Sequence, residues 1–287
     1  MAYQLNINWP EFLEKYWQKQ PVVLKKAFPN FIDPITPDEL AGLAMEPEVD
    51  SRLVSLVNGK WHASNGPFEH FDGLGENGWS LLAQAVNHWH MPAAELVRPF
   101  RVLPDWRLDD LMISFSVPGG GVGPHIDQYD VFIIQGMGSR RWRVGDKLPM
   151  RQFCPHPALL HVDPFPPIID EDLEPGDILY IPPGFPHDGV THETALNYSV
   201  GFRGPNGRDL ISSFADYVLE TTSAANTTAI RTSPAATIRA GLKSMNSTSA
   251  QHDDRHDSPT RRLQAVVRQF RHHAASRTGY CSGGTGI

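Results

Sequence analysis

Three residues of this 287-residue chain have the types and spacing of a metal site: His125, Asp127 and His187. Side chains at positions i and i+2 of a strand point to the same side, so His125 and Asp127 can reach one ion together. Two imidazoles and one carboxylate that leave coordination positions open are the ligand set of mononuclear non-haem Fe(II) oxygenases. We predict that the three residues bind iron at a catalytic site. The alternative for His187 is a structural histidine.

A strand of alternating character, residues 139–144, supplies a second candidate. Trp142 is apolar and shares a face with Arg140, whereas Arg141 and Arg143 share the opposite face, which we expect to be solvated. Arg140 is therefore predicted to point inward, where arginine is rare unless it is paired. Its planar guanidinium suits bidentate binding of a carboxylate, as a dicarboxylate co-substrate would require. The alternative is a structural salt bridge to an internal acid.

Polar side chains on neighbouring strand-like runs complete the candidate set. Ser114 and Ser116 share one face of the run 111–117, and two hydroxyls on one side suit a polar cavity. We place Ser116 in the substrate pocket; the alternative for either serine is that it faces water. Asn197 is predicted to meet a metal-bound ligand, and Tyr129, on the face of His125, to line the substrate pocket.

The elements that must position these residues change in character near residue 100. Before it, Thr36–Glu39 is a capping box with proline at the first helical position, and residues 12–17 form a short apolar helical face. We interpret the run 79–89 as a further helix. From about residue 110, short β-rich runs alternate with glycine- and proline-rich turns. This pattern predicts a mainly β protein with flanking helices, built as a double-stranded β-helix (jelly roll).

The chain divides by composition into three segments. Residues 1–100 are predicted to be the mainly helical N-terminal part of the catalytic domain, and residues 101–220 its β core. Residues 221–287 contain no Glu and a single Lys, with few large apolar side chains, so we predict a disordered tail. Two alternatives stay open for this tail: a basic interaction segment, or a product of a shifted reading frame.

The net charge of −7 is unevenly distributed. Residues 1–220 carry 16 Lys+Arg and 29 Asp+Glu, a balance of −13, whereas residues 221–287 carry 9 and 3, a balance of +6. An acidic body favours a basic partner and argues against direct DNA binding. No apolar run approaches the ~18 residues of a membrane span. Two cysteines, Cys154 and Cys281, build no disulfide framework, and we expect a cytoplasmic protein without membrane contact.

Two stretches of the sequence resemble a known family. His125-Ile126-Asp127, together with the run from Pro175 to His187, resembles the JmjC/cupin-type 2-oxoglutarate oxygenases. The longer stretch 109–136 is similar to the bacterial ribosomal oxygenases, which hydroxylate an arginine side chain of a large-subunit ribosomal protein. The resemblance covers residues 1–220.

The resemblance carries expectations for each part of the site. It implies a JmjC/cupin-like jelly roll, Fe(II) as the cofactor at the three metal ligands, and 2-oxoglutarate and O2 as co-substrates. It gives the 2-oxoglutarate carboxylate to Arg140 with help from Ser114, and it implies a protein (arginine) hydroxylase with a ribosomal protein as substrate.

The last segment departs from the family. Family members continue into a helical dimerisation region and a winged-helix-like domain, and residues 221–287 resemble neither. The sequence therefore offers no basis for the family-type homodimer. Two other functions stay open: a catalytically impaired JmjC-fold binding protein that lacks its dimerisation region, and a small-molecule cupin such as an isomerase, which would not require an inward Arg140.

Overall fold

The structure, a computed structural model, describes residues 3–205 and 207–221. Residues 3–204 belong to one compact unit, and the last helix belongs to a second. The helices are α1 (Trp9–Lys15), α2 (Pro37–Ala44), α3 (Met91–Val97) and α4 (Gly207–Thr221). The strands are β1 (Val22–Leu24), β2 (Ser51–Val57), β3 (Lys60–Asn65), β4 (Trp79–Ala83), β5 (Leu108–Ser116), β6 (His125–Ile126), β7 (Asp130–Gln135), β8 (Arg140–Gly145), β9 (Gln152–His156), β10 (Leu159–Val162), β11 (Pro167–Leu173), β12 (Ile178–Ile181), β13 (Pro186–Thr191) and β14 (Ala195–Phe202).

Two antiparallel sheets and one hairpin contain the described strands. The larger sheet has eight strands in the order β1-β12-β7-β14-β5-β4-β2-β3, and the smaller has four in the order β11-β8-β13-β6. The hairpin joins β9 to β10. From β5 onward the chain passes repeatedly between the two sheets, which is the connectivity of a double-stranded β-helix. The predicted fold class is therefore confirmed.

The eight-stranded sheet has a different apolar core on each face, because successive side chains of a strand point to opposite sides. On one face Phe132 packs with Phe12 of α1 and Leu96 of α3 in a large aromatic-rich cluster. On the other face Ile133 packs against Trp142 of the smaller sheet. The second core places the inner faces of the two sheets against each other, and the predicted site residues lie along it.

The prediction for the first hundred residues was wrong in part. This segment contains four strands as well as three helices, and it is not mainly helical. The run 79–89, interpreted as a helix, forms β4 and a 3₁₀ turn at Val86–His88. A short apolar run does not distinguish a buried strand from a helix by its periodicity. Here β4 is paired on both edges, with β2 and with β5, so cross-strand hydrogen bonds decide its conformation.

Other local predictions agree with the structure. The capping box at Thr36 is present, with reciprocal hydrogen bonds to Glu39, and α2 begins at Pro37. The runs 111–117 and 139–144 form strands β5 and β8, with ends shifted by one to three residues.

Two sequence predictions fall partly outside the described residues. The predicted tail does so from residue 222 onward, and Cys281 lies in that part of the chain. Within the described residues, no helix is long and apolar enough to cross a membrane.

Candidate active site

The smaller sheet brings the three predicted metal ligands together. β13 pairs with β6 so that His187 lies directly opposite His125, and side chains opposed in this way point to the same face. Their ring centroids are 4.2 Å apart. One Asp127 oxygen lies 3.6 Å from His187 Nε2 and 3.9 Å from His125 Nε2. One donor atom from each residue falls within a group whose members are all within 4.8 Å of one another.

Both histidines are oriented by the backbone two residues earlier. His125 Nδ1 lies 2.9 Å from the Gly123 carbonyl oxygen, and His187 Nδ1 lies 3.1 Å from that of Phe185. A carbonyl oxygen can only accept, so each Nδ1 carries the proton and donates it. The Nε2 lone pairs are then free on the side facing Asp127, which is the arrangement of metal-ligating histidines.

Burial keeps His187 neutral. His187 is almost fully buried, and loss of solvation lowers its pKa to about 4, with the neighbouring His125 adding to the decrease. A neutral imidazole is the form that binds a metal ion. The turn before His187 is tied to the second candidate ligand, because the Gly184 N–H donates to the Asp127 carbonyl oxygen at 2.8 Å. The donor set therefore fits a divalent metal ion with open positions.

Arg140 lies on the same face of the smaller sheet, further along β8. β13 pairs with β8 so that His187 opposes Val144 and Thr191 opposes Arg140. The Arg140 guanidinium carbon lies 5.7 Å from the centroid of the Trp142 ring, whose centroid is in turn 6.2 Å from the His187 ring. The strand alternation that predicted an inward Arg140 is thus matched by the structure.

The guanidinium of Arg140 has unused hydrogen-bonding capacity. Arg140 is 5% exposed, its Nε has no hydrogen-bond partner, and no carboxylate of the described residues forms an ion pair with it. Burial lowers the pKa of its guanidinium to about 10, which still leaves it charged at neutral pH. An unpaired buried cation is costly unless a ligand completes it. Asp188 is the acid whose charge opposes this decrease in pKa, and its carboxylate forms an ion pair with Arg143. The Arg140 guanidinium is therefore able to bind an anion.

The two candidate serines differ in the partners that the structure gives them. The Nη2 of Arg140 donates to the Ser116 hydroxyl, whereas Ser114 lies opposite Asn197 in the pairing of β5 with β14. Both serines are buried, so neither faces water. Strand parity puts them on one face but cannot say which one is level with Arg140, because that depends on how the two sheets are stacked.

Asn197 is held in a buried amide pair. Its Nδ2 donates to the Gln135 side-chain oxygen at 2.6 Å, and its own Oδ1 is buried without a partner. Asn197 lies between Ser114 and Gln135 in the register of the larger sheet, on the face that turns toward Arg140. It therefore presents one unused acceptor beside the site.

Acidic and aromatic side chains border the metal ligands. Burial raises the pKa of the Tyr129 hydroxyl well above its usual value, and Asp127 and Asp110 add to the increase. Burial also raises the pKa of Asp110 to about 6. A Cβ built on Gly201 would lie 3.4 Å from the Asp110 carboxylate and 3.8 Å from the Tyr129 ring, so these two side chains border the same glycine.

Sequence reasoning missed two residues that support the site. Ser80 of β4 lies 2.7 Å from Ser116, Oγ to Oγ, and the misassigned helix concealed this pairing. His161 of β10 contacts the Val122 carbonyl oxygen through Nε2 at 2.8 Å, and its ring packs on Gly123. No local pattern marks either residue, since each acts across strands that are distant in sequence.

A family model and known proteins match this chain. A JmjC domain model matches residues 95–210. The ribosomal protein uL16 3-hydroxylase of Escherichia coli K12 is 76% identical over 220 residues, which is 77% of this chain and 59% of that protein. The probable ribosomal oxygenase of Haemophilus influenzae is 38% identical over 205 residues, covering 70% of this chain and 50% of that protein.

A solved structure is also similar to this chain. The structure of YcfD, a ribosomal oxygenase from Escherichia coli in complex with cobalt and 2-oxoglutarate, superimposes with a TM-score of 0.75 at 60% identity, covering 96% of this chain and 69% of that one. The chain spans 59% and 50% of the length of the two sequence relatives. The fold, the domain match and these identities together lead to one conclusion: this chain belongs to the JmjC-domain ribosomal oxygenases.

Proposed function

We propose that this protein is an Fe(II)- and 2-oxoglutarate-dependent dioxygenase that hydroxylates an arginine side chain of a large-subunit ribosomal protein. The observation that carries the proposal is a pairing on one face of the smaller sheet. There, a three-residue donor set with open positions shares the face with a buried guanidinium that forms no ion pair within the described residues. The cobalt and 2-oxoglutarate complex of the Escherichia coli relative supports a metal ion and 2-oxoglutarate at this site, while the choice of iron rests on the donor set.

Each residue of this face has a proposed task. His125, Asp127 and His187 would hold the metal, with the Gly123 and Phe185 carbonyl oxygens keeping both Nε2 atoms directed at it. Bound Fe(II) would supply the redox chemistry that couples oxidative decarboxylation of 2-oxoglutarate by O2 to hydroxylation of a C–H bond.

The far carboxylate of 2-oxoglutarate would be bound at the other end of this face. Arg140 offers its Nε–H, which has no partner among the described residues, and Ser116 contacts the same guanidinium. Both side chains are desolvated, so their attraction for a carboxylate is little weakened by water. Asn197 and Ser114 remain candidates for the polar wall beside it.

An arginine side chain as substrate agrees with the charge around the metal ligands. Asp110 is an acid held in a mostly buried position beside Tyr129, and a bound guanidinium would compensate its charge. Ser116 lies against Arg140 and suits the co-substrate better than the substrate pocket to which we first assigned it. The acidic balance of residues 1–220 would attract a basic ribosomal protein, and we place the protein in the cytoplasm with that substrate.

The test is a turnover assay on the whole chain. The protein is incubated with Fe(II), 2-oxoglutarate and the large-subunit ribosomal protein. Formation of succinate together with the mass increase of one oxygen atom on an arginine residue is the expected result. Asp127→Ala serves as the control, since it removes the carboxylate ligand. Oxygen added to a residue other than arginine would contradict the substrate assignment and leave the reaction type intact.

A second candidate is a catalytically impaired JmjC-fold binding protein. The observation that favours it is the composition of residues 221–287, which contain no Glu, a single Lys and few large apolar side chains. Under this hypothesis the protein binds a divalent metal and 2-oxoglutarate but yields neither succinate nor modified arginine. Size-exclusion chromatography with metal analysis on the same sample separates a folded, loaded, inactive protein from an aggregate.

A further inference from the structure

We infer that Ser80 is a positioning residue for the 2-oxoglutarate site, and that its hydroxyl leaves the Ser116 hydroxyl free to donate to the co-substrate carboxylate beside Arg140. This inference rests on the proposed 2-oxoglutarate-dependent function. Ser80 comes from β4, a strand that lies outside the residues matched by the JmjC domain model.

Three buried side chains form a chain of contacts across two sheets. β4 pairs with β5 so that Ser80 lies directly opposite Ser116, and the two hydroxyl oxygens are 2.7 Å apart. Ser116 in turn accepts a hydrogen bond from the Arg140 Nη2. Ser80, Ser116 and Arg140 are 1%, 0% and 5% exposed, so solvent cannot replace any of these partners.

The hydrogen-bonding capacity of a hydroxyl limits the directions that the hydrogen bond between Ser80 and Ser116 can take. A serine hydroxyl donates one hydrogen bond and accepts two, whereas a guanidinium only donates. Arg140 therefore occupies one acceptor site of Ser116 and leaves its proton unassigned. If Ser80 donates to the second acceptor site, the Ser116 proton remains available. If Ser80 accepts instead, that proton is consumed and Ser116 presents only lone pairs.

The charge of the ligand selects between these two directions. A carboxylate accepts hydrogen bonds and would be repelled by a serine oxygen that presents only lone pairs. Arg140 also keeps a buried Nε without a partner, so the pocket already offers one unused donor. With Ser80 as donor to Ser116, the pocket presents two donors and no competing acceptor from this chain of contacts. Ser80 thus acts through Ser116 and does not need to touch 2-oxoglutarate.

The test compares Ser80 with another buried serine. Ser80→Ala and the near-isosteric Ser80→Cys are made in the full chain, with Ser51→Ala as the matched control. Ser51 lies on the adjacent strand β2, is equally buried, and donates to the Ala44 carbonyl oxygen at 3.1 Å. The dissociation constant of 2-oxoglutarate is measured by calorimetry on the Co(II)-loaded proteins, and thermal melting verifies that each one folds.

Loss of one hydrogen bond to a desolvated group should change the dissociation constant of 2-oxoglutarate in the Ser80 variants only. Both Ser80 variants should weaken 2-oxoglutarate binding about tenfold and raise its KM by a similar factor, while kcat at saturation stays within about twofold. Ser51→Ala should leave the dissociation constant within about twofold, although it also loses a buried hydrogen bond. A dissociation constant unchanged in both Ser80 variants would overturn the inference.

A double-mutant cycle tests whether Ser80 acts through Ser116. In a Ser116→Ala background, adding Ser80→Ala should have no further effect on 2-oxoglutarate binding. An equal tenfold loss in both backgrounds would show that Ser80 acts independently and would overturn the positioning role. Wild-type protein that binds Co(II) but no 2-oxoglutarate would overturn the proposed function and this inference together.

Discussion

The two ends of the candidate site are built in opposite ways. At the metal end, each histidine is oriented by the carbonyl oxygen two residues before it, so its local segment is enough to set the ring. At the carboxylate end, Ser80, Ser116 and Arg140 come from three strands that are separated by 36 and 24 residues in the chain. The orientation of each ring at the metal end is thus set locally, although β13 must still pair with β6 to bring His187 beside His125. At the carboxylate end, even the hydrogen bonds that orient the side chains form only when distant strands pair.

Exposure differs between the two ends in a way that suits their proposed tasks. His125 and Asp127 keep 24% and 21% of their side-chain surface exposed, which leaves an approach for a protein substrate. Arg140 is buried, so its charge acts in a medium of low effective dielectric constant. An open reacting end and a closed binding end would allow a large substrate to reach the metal while the small co-substrate is held by charge.

The largest effect should follow from breaking the metal end. His187→Ala removes one of three donors and should weaken metal binding by at least about 100-fold and abolish turnover, since even losing an outer partner of a metal ligand costs about 10- to 100-fold. His192→Ala is the control, because His192 is exposed and pairs only with Asp172 at the surface. Metal content after dialysis and succinate formation are the measurements. Metal retained by His187→Ala would remove this residue from the ligand set.

Breaking the carboxylate end should leave the metal end intact. Arg140→Met should weaken 2-oxoglutarate binding by about 30-fold, because a charge-assisted hydrogen-bond pair is lost, while Co(II) affinity stays unchanged. The unfolding midpoint should be equal or higher, since the variant removes an unpaired buried cation. Arg141→Met, which loses only a surface ion pair with Asp170, should leave the co-substrate affinity unchanged. A lower midpoint for Arg140→Met would indicate a structural role instead.

Gly123 tests how far the local backbone orients the histidine rings at the metal end. This residue has a φ of +81°, its carbonyl oxygen orients His125, and a Cβ added to it would collide with the His161 ring. Gly123→Ala should therefore weaken metal binding about tenfold. Gly119→Ala is the matched control: φ is +75° there, but the nearest atom to an added Cβ is 3.8 Å away.

The two glycine variants separate backbone strain from ligand misplacement. Both should lower the free energy of unfolding by about 1 kcal/mol through the left-handed conformation, and Gly123→Ala should lower it further because the His161 ring must move. Only Gly123→Ala should change the dissociation constant for Co(II). Equal Co(II) affinities in the two variants would contradict the role given to the Gly123 carbonyl oxygen.

The smallest effect on ligand binding concerns Asp110, whose substitution should also change the pH dependence of stability. Burial raises the pKa of Asp110 to about 6 from an ordinary value of 3.8, so between these values the folded state binds a proton that the unfolded state has released. Stability is therefore lost as pH rises through this window, by up to about 3 kcal/mol. Asp110→Asn should raise the free energy of unfolding at pH 8 and leave it unchanged at pH 4.

Asp110→Asn should make the protein more stable at pH 8 but weaken its binding of the ribosomal protein. Because Asp110→Asn removes the proposed partner of a cationic side chain, it should raise KM for the ribosomal protein several-fold while the 2-oxoglutarate KM is unchanged. Asp109→Asn is the control, since that acid pairs with Arg203 at the surface and should cost at most about 1 kcal/mol. A stability at pH 8 that does not increase in Asp110→Asn would mean that a partner already compensates the carboxylate.

Local sequence was sufficient to predict the candidate metal ligands, the inward Arg140 and the fold class. The His-x-Asp spacing and the alternation around Trp142 both depend on the two-residue period of a strand, which is a property of the backbone and needs no partner. The capping box at Thr36 is local for the same reason, since its hydrogen bonds close within four residues.

The tertiary structure alone decided the rest. A short apolar run such as β4 has no intrinsic preference strong enough to fix its state, and pairing with β2 and β5 made it a strand. That pairing also placed Ser80 against Ser116, and the packing of the two sheets brought Ser116 into hydrogen-bond contact with Arg140. Strand period determines the face on which a side chain lies, but which residue it meets depends on register between strands that are far apart in the chain.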